Sequence, residues 1–469
     1  MSTRLYVVLH DVPRRARSRR TPGAPEVRDR RTASAPGVAH APSLLDCQVR
    51  RRHDSWTAPS HVNPPPRSVE RGSITAPPWV GRSRPLADLR SHARSTIVRY
   101  GDERLQLTRQ DEEVRVEEPF RVGLAIPLQG PGGIFGPSCE AVAELAAAEV
   151  NAAGGVLGRE LVFEVVDAGA PLPEIRRTVH DLLERRRLDA VTGWHISSVR
   201  EALAPVLRGR APYVYTSLYE GGPIPTGVYT SGEVPALQIA PALTWMRDHA
   251  AVHRWALVGA NYVWPRRTAT RIRDYARTAG IEVVHEAFVS YGCRDFTTTL
   301  VDIARSDADG VLMLLVGQDA VMFNRQFAEA GLDTVMPRFT PLMEENMLLA
   351  TGAEGTADLY VAAAYFNSLA TASALDFMSA YIHRHGPDAP ALNNAAESCY
   401  EGVLALVSLT AAAGSTRTAD IAAANAETPV SYEGPRGTVT LSSETLDQGR
   451  QAVHLARADG YDFDVLTTL

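Results

Sequence analysis

From Phe120 to its C-terminus the chain reads as an α/β protein: two doubly wound parallel-sheet lobes joined by three crossovers, preceded by a disordered N-terminal segment. Three observations point there. Short apolar runs alternate with amphipathic helical stretches, the βαβα rhythm of parallel sheets covered by helices on both faces. The roughly 350 residues involved exceed a single mononucleotide-binding unit, so two lobes are expected. Residues 1–118, by contrast, show no sustained hydrophobic periodicity.

That first segment is rich in Arg, Pro and Ser, with Arg14, Arg15, Arg17, Arg19 and Arg20 in one run and Pro64, Pro65 and Pro66 in another. Residues 1–119 hold 22 arginines against 14 Asp and Glu, and the remainder holds 26 against 40, so a basic head precedes an acidic body. Too little apolar surface is available in the head to offset chain entropy, which predicts disorder over residues 1–118. Clustered arginines could neutralise phosphates. Carboxylates and prolines interrupt these clusters, however, and no helix-turn-helix pattern accompanies them, so nucleic acid is not expected as a partner. The apolar stretch Leu5–His10 is shorter than the roughly 7–15 residues of a signal-peptide core. Leu44–Cys47 weakly resembles a lipoprotein box, with Asp46 in place of the small residue before the cysteine. As written the chain is therefore read as cytoplasmic, whereas a start misassigned upstream of residue 119 would make it extracytoplasmic.

Composition narrows the chemistry. No window approaches the run of about 18 apolar residues that a membrane span requires, so no transmembrane segment is expected. All 48 Lys+Arg residues are arginines, which excludes P-loop and Schiff-base chemistry. Cys47, Cys139, Cys293 and Cys399 form no C-x-x-C pair and are read as buried free thiols. His383 and His385 lack a third ligand and are read as a solvated helix end rather than a metal site. No cofactor is called for.

The elements follow in order. Arg121–Pro127 is a short apolar strand, Cys139–Asn151 an amphipathic helix and Leu161–Asp167 a second strand. Further strands are expected at Ala190–Thr192, Tyr213–Thr216, Trp255–Gly259, Glu282–Phe288, Gly310–Leu315 and Tyr360–Ala364, with helices between most of them. The first lobe should take residues 120–234 and 367–434, and the second 235–366 and 435–469, with Gly434–Gly437 marking the last crossing.

The first strand leads into Gln129-Gly130-Pro131-Gly132-Gly133-Ile134-Phe135-Gly136-Pro137. A glycine-rich strand-to-helix turn could cradle a pyrophosphate. The G-x-G-x-x-G fingerprint nevertheless fails, because Phe135 stands where its third glycine belongs. The helix that follows ends in Asn151, Gly154, Gly155 and Gly158, an N-x-x-G-G-x-x-G turn whose residues tolerate positive φ.

With this turn, residues 121–169 resemble the opening of type I periplasmic-type solute-binding proteins, the group of leucine/isoleucine/valine, amide and urea binders, and the resemblance runs on to the C-terminus. Within the group the chain looks most like the amide-sensor and urea-binding branch, on Gly193–Arg200, Tyr215–Gly221 and Gly259–Arg266. Each segment follows an expected strand, and open α/β sheets bind ligands beyond the carboxyl ends of their strands.

The resemblance implies a clamp between two lobes. Ser197 and Ser217 would donate or accept hydrogen bonds to a small polar ligand, and Tyr262 would close from the second lobe. His195, Tyr215, Thr216, Trp264 and Val316 complete the expected lining. His195 stands where the branch has tyrosine, Ser217 where it has threonine, Leu218 where it has proline and Trp264 where it has a second tyrosine, so the pocket should differ in shape. Tyr219, Glu220 and Arg266 are read as bracing residues. Glu344 and Glu345 either enter the cleft, which would favour an amino-acid ligand, or remain solvated loop carboxylates. No G-x-S-x-G elbow surrounds the serines, so His195 is read as a hydrogen-bonding wall and the chain as a non-enzymatic binder.

Two roles use such a clamp. The unexported form argued above favours a cytosolic amide-type sensor acting on a regulatory protein. The alternative is the binding component of an ABC importer for urea, amides or branched-chain amino acids, with a permease as partner. A homodimer is compatible with either.

Overall fold

The computed structural model describes residues 118–441 and 451–469. Disorder was expected over residues 1–118, of which all but Glu118 lie outside them, and Cys47 with them. Chain order runs β1 (Phe120–Ile126), α1 (Gly136–Ala152), β2 (Leu161–Asp167), α2 (Leu172–Glu184), β3 (Ala190–Thr192), α3 (Ser197–Leu207), β4 (Tyr213–Tyr215) and β5 (Val228–Thr230). It continues through α4 (Pro235–Ala250), β6 (Arg254–Ala260), α5 (Val263–Ala279), β7 (Glu282–Val289), α6 (Thr297–Arg305), β8 (Gly310–Leu314), α7 (Gln318–Glu329), β9 (Arg338–Thr340), α8 (Glu345–Thr351) and β10 (Leu359–Ala363). After these come α9 (Ala372–His385), α10 (Asn394–Ala413), α11 (Thr418–Glu427), β11 (Ser431–Gly434), β12 (Gly437–Thr440), β13 (His454–Asp459) and β14 (Asp462–Thr468).

The strands form two large sheets. In the first lobe the order is β2-β1-β3-β4-β5, and every pairing is parallel. In the second it is β14-β13-β10-β9-β8-β6-β7, parallel except for the β13 and β14 edge. Each sheet is covered on both faces, as its apolar runs require. On one face of the first sheet α2 and α3 bury Ile175, Val179 and Leu203; on the other, α1 and α10 bury Val150, Val403 and Leu406. The doubly wound α/β expectation holds.

Local chemistry explains the joints. The side chain of Asn151 closes the α1–β2 turn by accepting from the Leu161 N–H at 2.7 Å and donating to the Leu161 carbonyl at 2.9 Å. Gly155 turns there at φ 75°, and a Cβ on it would lie 2.1 Å from the Arg159 carbonyl oxygen, so only glycine fits. The expected strands appear, while β5, β9 and the strands after α11 were not foreseen. β5 and β9 are three residues long, like β3 and β4, and too short to show a period, so such strands are found only where an apolar run happens to mark them. Cys139 and Cys399 are buried free thiols, but Cys293 is half-exposed in the loop after β7, contrary to expectation.

The crossovers are pinned by buried charge. Glu233, in the first crossover, accepts from the Ala364 N–H of the second at 2.8 Å and from the Asn394 side chain at 3.0 Å. Arg436, in the β11–β12 turn, donates to Glu401 of α10 at 2.6 Å and to the Ser231 carbonyl of the first crossover at 3.0 Å. The lobe change expected at residue 435 therefore falls inside a hairpin: Gly434 and Gly437 pair across a two-residue turn, and among the described residues the next strand of the second sheet is the one that begins at His454. Glu397 sits 3.7 Å from the Arg436 guanidinium, and neither of its carboxyl oxygens has a hydrogen-bond partner among the described residues. Burial, reinforced by the neighbouring Glu401 charge, pushes Glu397 well above the usual carboxylate range and toward its neutral form.

Arg436→Met leaves these carboxyls without their cation. Breaking a buried pair on one side costs about 3–5 kcal/mol, and urea denaturation is expected to show a loss of that size. A loss under about 1 kcal/mol would mean that the crossovers do not rely on this pair.

Candidate functional site

The carboxyl ends of strands from both sheets meet around a narrow cavity of about 10 Å³. β3 feeds the loop Gly193–Ile196 and the start of α3; β4 feeds Thr216–Leu218. From the second lobe, β6 delivers Tyr262 and Trp264, β8 delivers Val316, and β9 delivers Leu342. Ser197, Ser217, Tyr262, His195, Tyr215, Trp264 and Val316 all line this cavity. Thr216 does not. Side chains alternate along an extended segment, so Tyr215 and Ser217 face the cavity while Thr216 turns to α10, where its hydroxyl accepts from Ser398 at 3.3 Å. Trp194, Ile196, Leu218 and Leu342 also line it without having been expected as contacts. The first three sit in segments already singled out, so the loop-after-strand rule could have found them.

The hydroxyl protons of both serines are committed. Ser217 donates to the His195 carbonyl at 2.8 Å and accepts from the His195 N–H at 2.9 Å, tying the two loops together. Ser197 donates to Glu220 at 2.9 Å. Toward the cavity Ser217 therefore offers a lone pair rather than a proton, whereas the Ser197 oxygen also meets the Arg200 guanidinium at 3.5 Å and the Tyr215 hydroxyl at 3.3 Å. The donors come from elsewhere. Ser197 opens α3 without a side-chain cap, and its N–H finds no acceptor among the described residues. Nor do the Tyr262 hydroxyl and the Trp264 indole N–H find one there.

Electrostatics keeps the lining neutral. Burial, reinforced by the Arg200 charge, lowers His195 to about 4. Its Nε2 lies 2.8 Å from the Tyr213 hydroxyl and its Nδ1 3.3 Å from the Ile196 carbonyl, so the ring is a fixed neutral wall. Burial raises Tyr215 to about 12 and Tyr262 well above its usual range. Behind this wall, burial opposes ionisation of Glu220, but two hydrogen bonds and the charge of Arg200 overturn it and hold the carboxylate below its usual range. Glu220 thus braces the site as expected. Tyr219 does so too, donating to the Pro223 carbonyl at 2.8 Å. Arg266 instead braces the second lobe alone, bonded to Asn261 at 2.9 Å.

Neither course expected for Glu344 and Glu345 holds. Both are buried at 2% and 5% exposure rather than solvated, and neither lines the cavity. Glu344 accepts from the Ala395 N–H at 3.3 Å and Glu345 from the Asn367 N–H at 2.7 Å, so they serve the crossover region. The apolar Leu342 of the same segment is what reaches the cavity.

Across the mouth of the cleft the lobes touch backbone to backbone. Gly317, at φ 57°, leaves no room for a side chain: a Cβ would lie 2.0 Å from the Pro131 carbonyl oxygen of the glycine-rich turn. Asn346 donates to the Ile134 carbonyl of that turn at 2.8 Å.

A family model described as periplasmic binding protein matches residues 119–462. Among solved structures, the branched-chain amino acid transporter substrate binding protein LivJ from Streptococcus pneumoniae, in complex with isoleucine, is 18% identical with a TM-score of 0.65, over 75% of this chain and 99% of that one. A solute binding protein of an ABC transporter from Rhodopseudomonas palustris, in complex with 3,4-dihydroxybenzoic acid, is 20% identical with a TM-score of 0.65, over 75% and 98%. The leucine binding protein LivK from Thermotoga maritima is 16% identical with a TM-score of 0.65, over 75% and 98%. At these identities the likeness to solved structures is one of fold.

Two predictions follow from the geometry. Gly317→Ala should hold the lobes apart, read as a larger radius of gyration in small-angle scattering with an unchanged far-UV circular dichroism spectrum; an unchanged radius would mean that the Pro131 turn yields instead. Burial raises Glu345 from its ordinary 4.5 to about 8. The folded state therefore holds a proton that the unfolded state has released, and stability falls as pH rises through that window. Glu345→Gln should melt a few degrees above the wild type at pH 8, with the gap shrinking toward pH 4.5, and a gap independent of pH would refute the account.

Proposed function

Because this chain belongs to the periplasmic binding protein family, whose model spans residues 119–462, we propose that it is the binding component of an ABC importer that clamps a small neutral amide or urea between its lobes. It is a ligand-binding protein and not an enzyme. The observation that carries the ligand class is that every described residue lining the cavity is uncharged, His195 included. A zwitterion or a carboxylate would need an opposite charge once desolvated. Arg200 lies close by but is already spent on Glu220, and Glu344 and Glu345 lie elsewhere.

The polarity of the wall supports the same reading. An amide or urea carries N–H donors and a carbonyl acceptor. The free lone pair of Ser217 suits the donors, whereas the Ser197 N–H, Tyr262 and Trp264 suit the carbonyl. A carboxylate would set its lone pairs against that of Ser217. In this closed form the free room between the walls is about 10 Å³, that of about one water, so even a ligand the size of urea enters only when the walls part. The importer role, with an extracytoplasmic location and a permease as partner, is preferred to a cytosolic sensor because the similar solved proteins named above include transporter binding proteins.

Thermal shift of the full chain against acetamide, urea, isoleucine and benzoate tests the reading, since a ligand bound only by the folded state raises Tm. Acetamide or urea should shift Tm. Ser197→Ala combined with Tyr262→Ala should raise the Kd for that compound by roughly 100-fold, about tenfold for each hydrogen bond lost. A shift confined to isoleucine or benzoate would overturn the neutral-ligand reading.

A further inference from the structure

We propose that Arg267 is an interlobe latch that sets ligand affinity through closure: from α5 of the second lobe it reaches Glu220 of the first, the same carboxylate that holds the cavity-facing hydroxyl of Ser197. The proposal rests on the reading that the ligand binds at Ser197.

The geometry is specific. Glu220 is buried, with its side chain wholly covered, and its carboxylate has room for about four hydrogen bonds. Ser197 fills one at 2.9 Å, and Arg200 fills two at 2.6 and 3.1 Å. These three come from the same lobe as Glu220. The fourth comes from Arg267 at 2.9 Å, across the cleft. Arg200 has no freedom to take that place, because its guanidinium is held between the rings of Tyr215 and Tyr219 at 5.0 and 4.7 Å. Opening the cleft would therefore break a charge-assisted hydrogen bond at this Glu220 oxygen and leave water to replace it.

Arg267 also meets Glu201, the exposed carboxylate on α3, at 2.8 Å. Two arginines and two carboxylates thus form a neutral group that is complete only when the lobes are shut. Arg271, one helical turn further along α5, lies beside Gly221 on the same loop and extends the seam. The arrangement separates two tasks. The cavity, being uncharged, selects the ligand, and the charged seam beside it holds the cleft closed around whatever has been selected.

Separation of tasks has a consequence that an uncharged cavity alone would not produce. Binding of a neutral ligand to a neutral wall should be insensitive to salt, whereas a half-exposed arginine in the seam makes closure, and with it affinity, weaken as ionic strength rises. The test uses the full chain, with acetamide and urea as probes in titration calorimetry at low and high sodium chloride, and small-angle scattering without any ligand. Arg267→Ala should raise Kd about tenfold, remove most of the salt dependence and enlarge the unliganded radius of gyration. Arg267→Lys should recover part of each effect, and Glu201→Ala, which leaves Glu220 in place, should change each by less than Arg267→Ala does.

A wild-type Kd that is already independent of salt, or an Arg267→Ala protein with unchanged Kd and unchanged scattering, would overturn the latch. If neither probe binds the wild type but Arg267→Ala still enlarges the unliganded protein, the latch stands and the ligand reading fails. If neither probe binds and the scattering is also unchanged, both fail.

Discussion

Burial of charge at the crossovers is the constraint on which the rest of the molecule depends. Helix α10 is covered along nearly its whole length, and from this apolar setting it presents two carboxyls, Glu397 and Glu401. Charged groups withdrawn from water need partners held in place. Arg436 and Tyr432 meet Glu401 from the β11–β12 hairpin, and Arg436 also reaches Ser231. Glu233 ties the first crossover to the second and to the start of α10. Because these bonds have few alternative geometries, they fix the first two crossovers and the β11–β12 hairpin against one another, and the carboxyl ends of both sheets are brought to face one another.

The same logic, applied one layer further out, explains why the cavity is neutral although charges lie close behind it. Arg200 and Glu220 neutralise each other under the Tyr215 and Tyr219 rings, and what reaches the cavity is the orientation they impose on Ser197. Ser217 is oriented in a different way, by both backbone polar groups of His195. Each hydroxyl therefore arrives at the site with its proton already assigned. Such preassignment costs nothing further when a ligand enters, which is how a rigid wall discriminates between donors and acceptors.

Much of this fold was legible from residue patterns, for a physical reason. Parallel strands covered on both faces must be apolar throughout, so β1, β6 and β8 announce themselves as uninterrupted runs such as Trp255–Gly259 and Gly310–Leu315. The three-residue β5, an edge strand paired with β4 alone, and β9, held between β8 and β10, carry no such signal. The loops at the strand ends were legible because position alone nominates them, and they brought Ser197, Ser217 and Tyr262 to one cavity. The error at Thr216 was one of phase, since period-two alternation excludes it once Tyr215 and Ser217 are taken. The fate of Glu344 and Glu345 was not legible, because adjacent glutamates ordinarily read as exposed, and the backbone N–H groups that receive them, at Ala395 and Asn367, lie far away in sequence.

A small neutral ligand offers only a few hydrogen bonds, each worth roughly 0.5–1.5 kcal/mol net. Closing a two-lobed clamp on it also immobilises the glycine-rich turn against Gly317 and desolvates both walls. Contacts with the ligand alone leave a narrow margin for that work. The closed form therefore gains from interactions between the lobes that do not involve the ligand: the Asn346 bond to Ile134, the backbone contact at Gly317 and the seam at Glu220. If these were too strong, the cleft would shut empty; if too weak, it would not hold. A single half-exposed arginine on a covered carboxylate is intermediate in strength between a surface pair and a buried one. On the latch proposed above, the clamp stands near balance, where a ligand worth a few kcal/mol can decide its state.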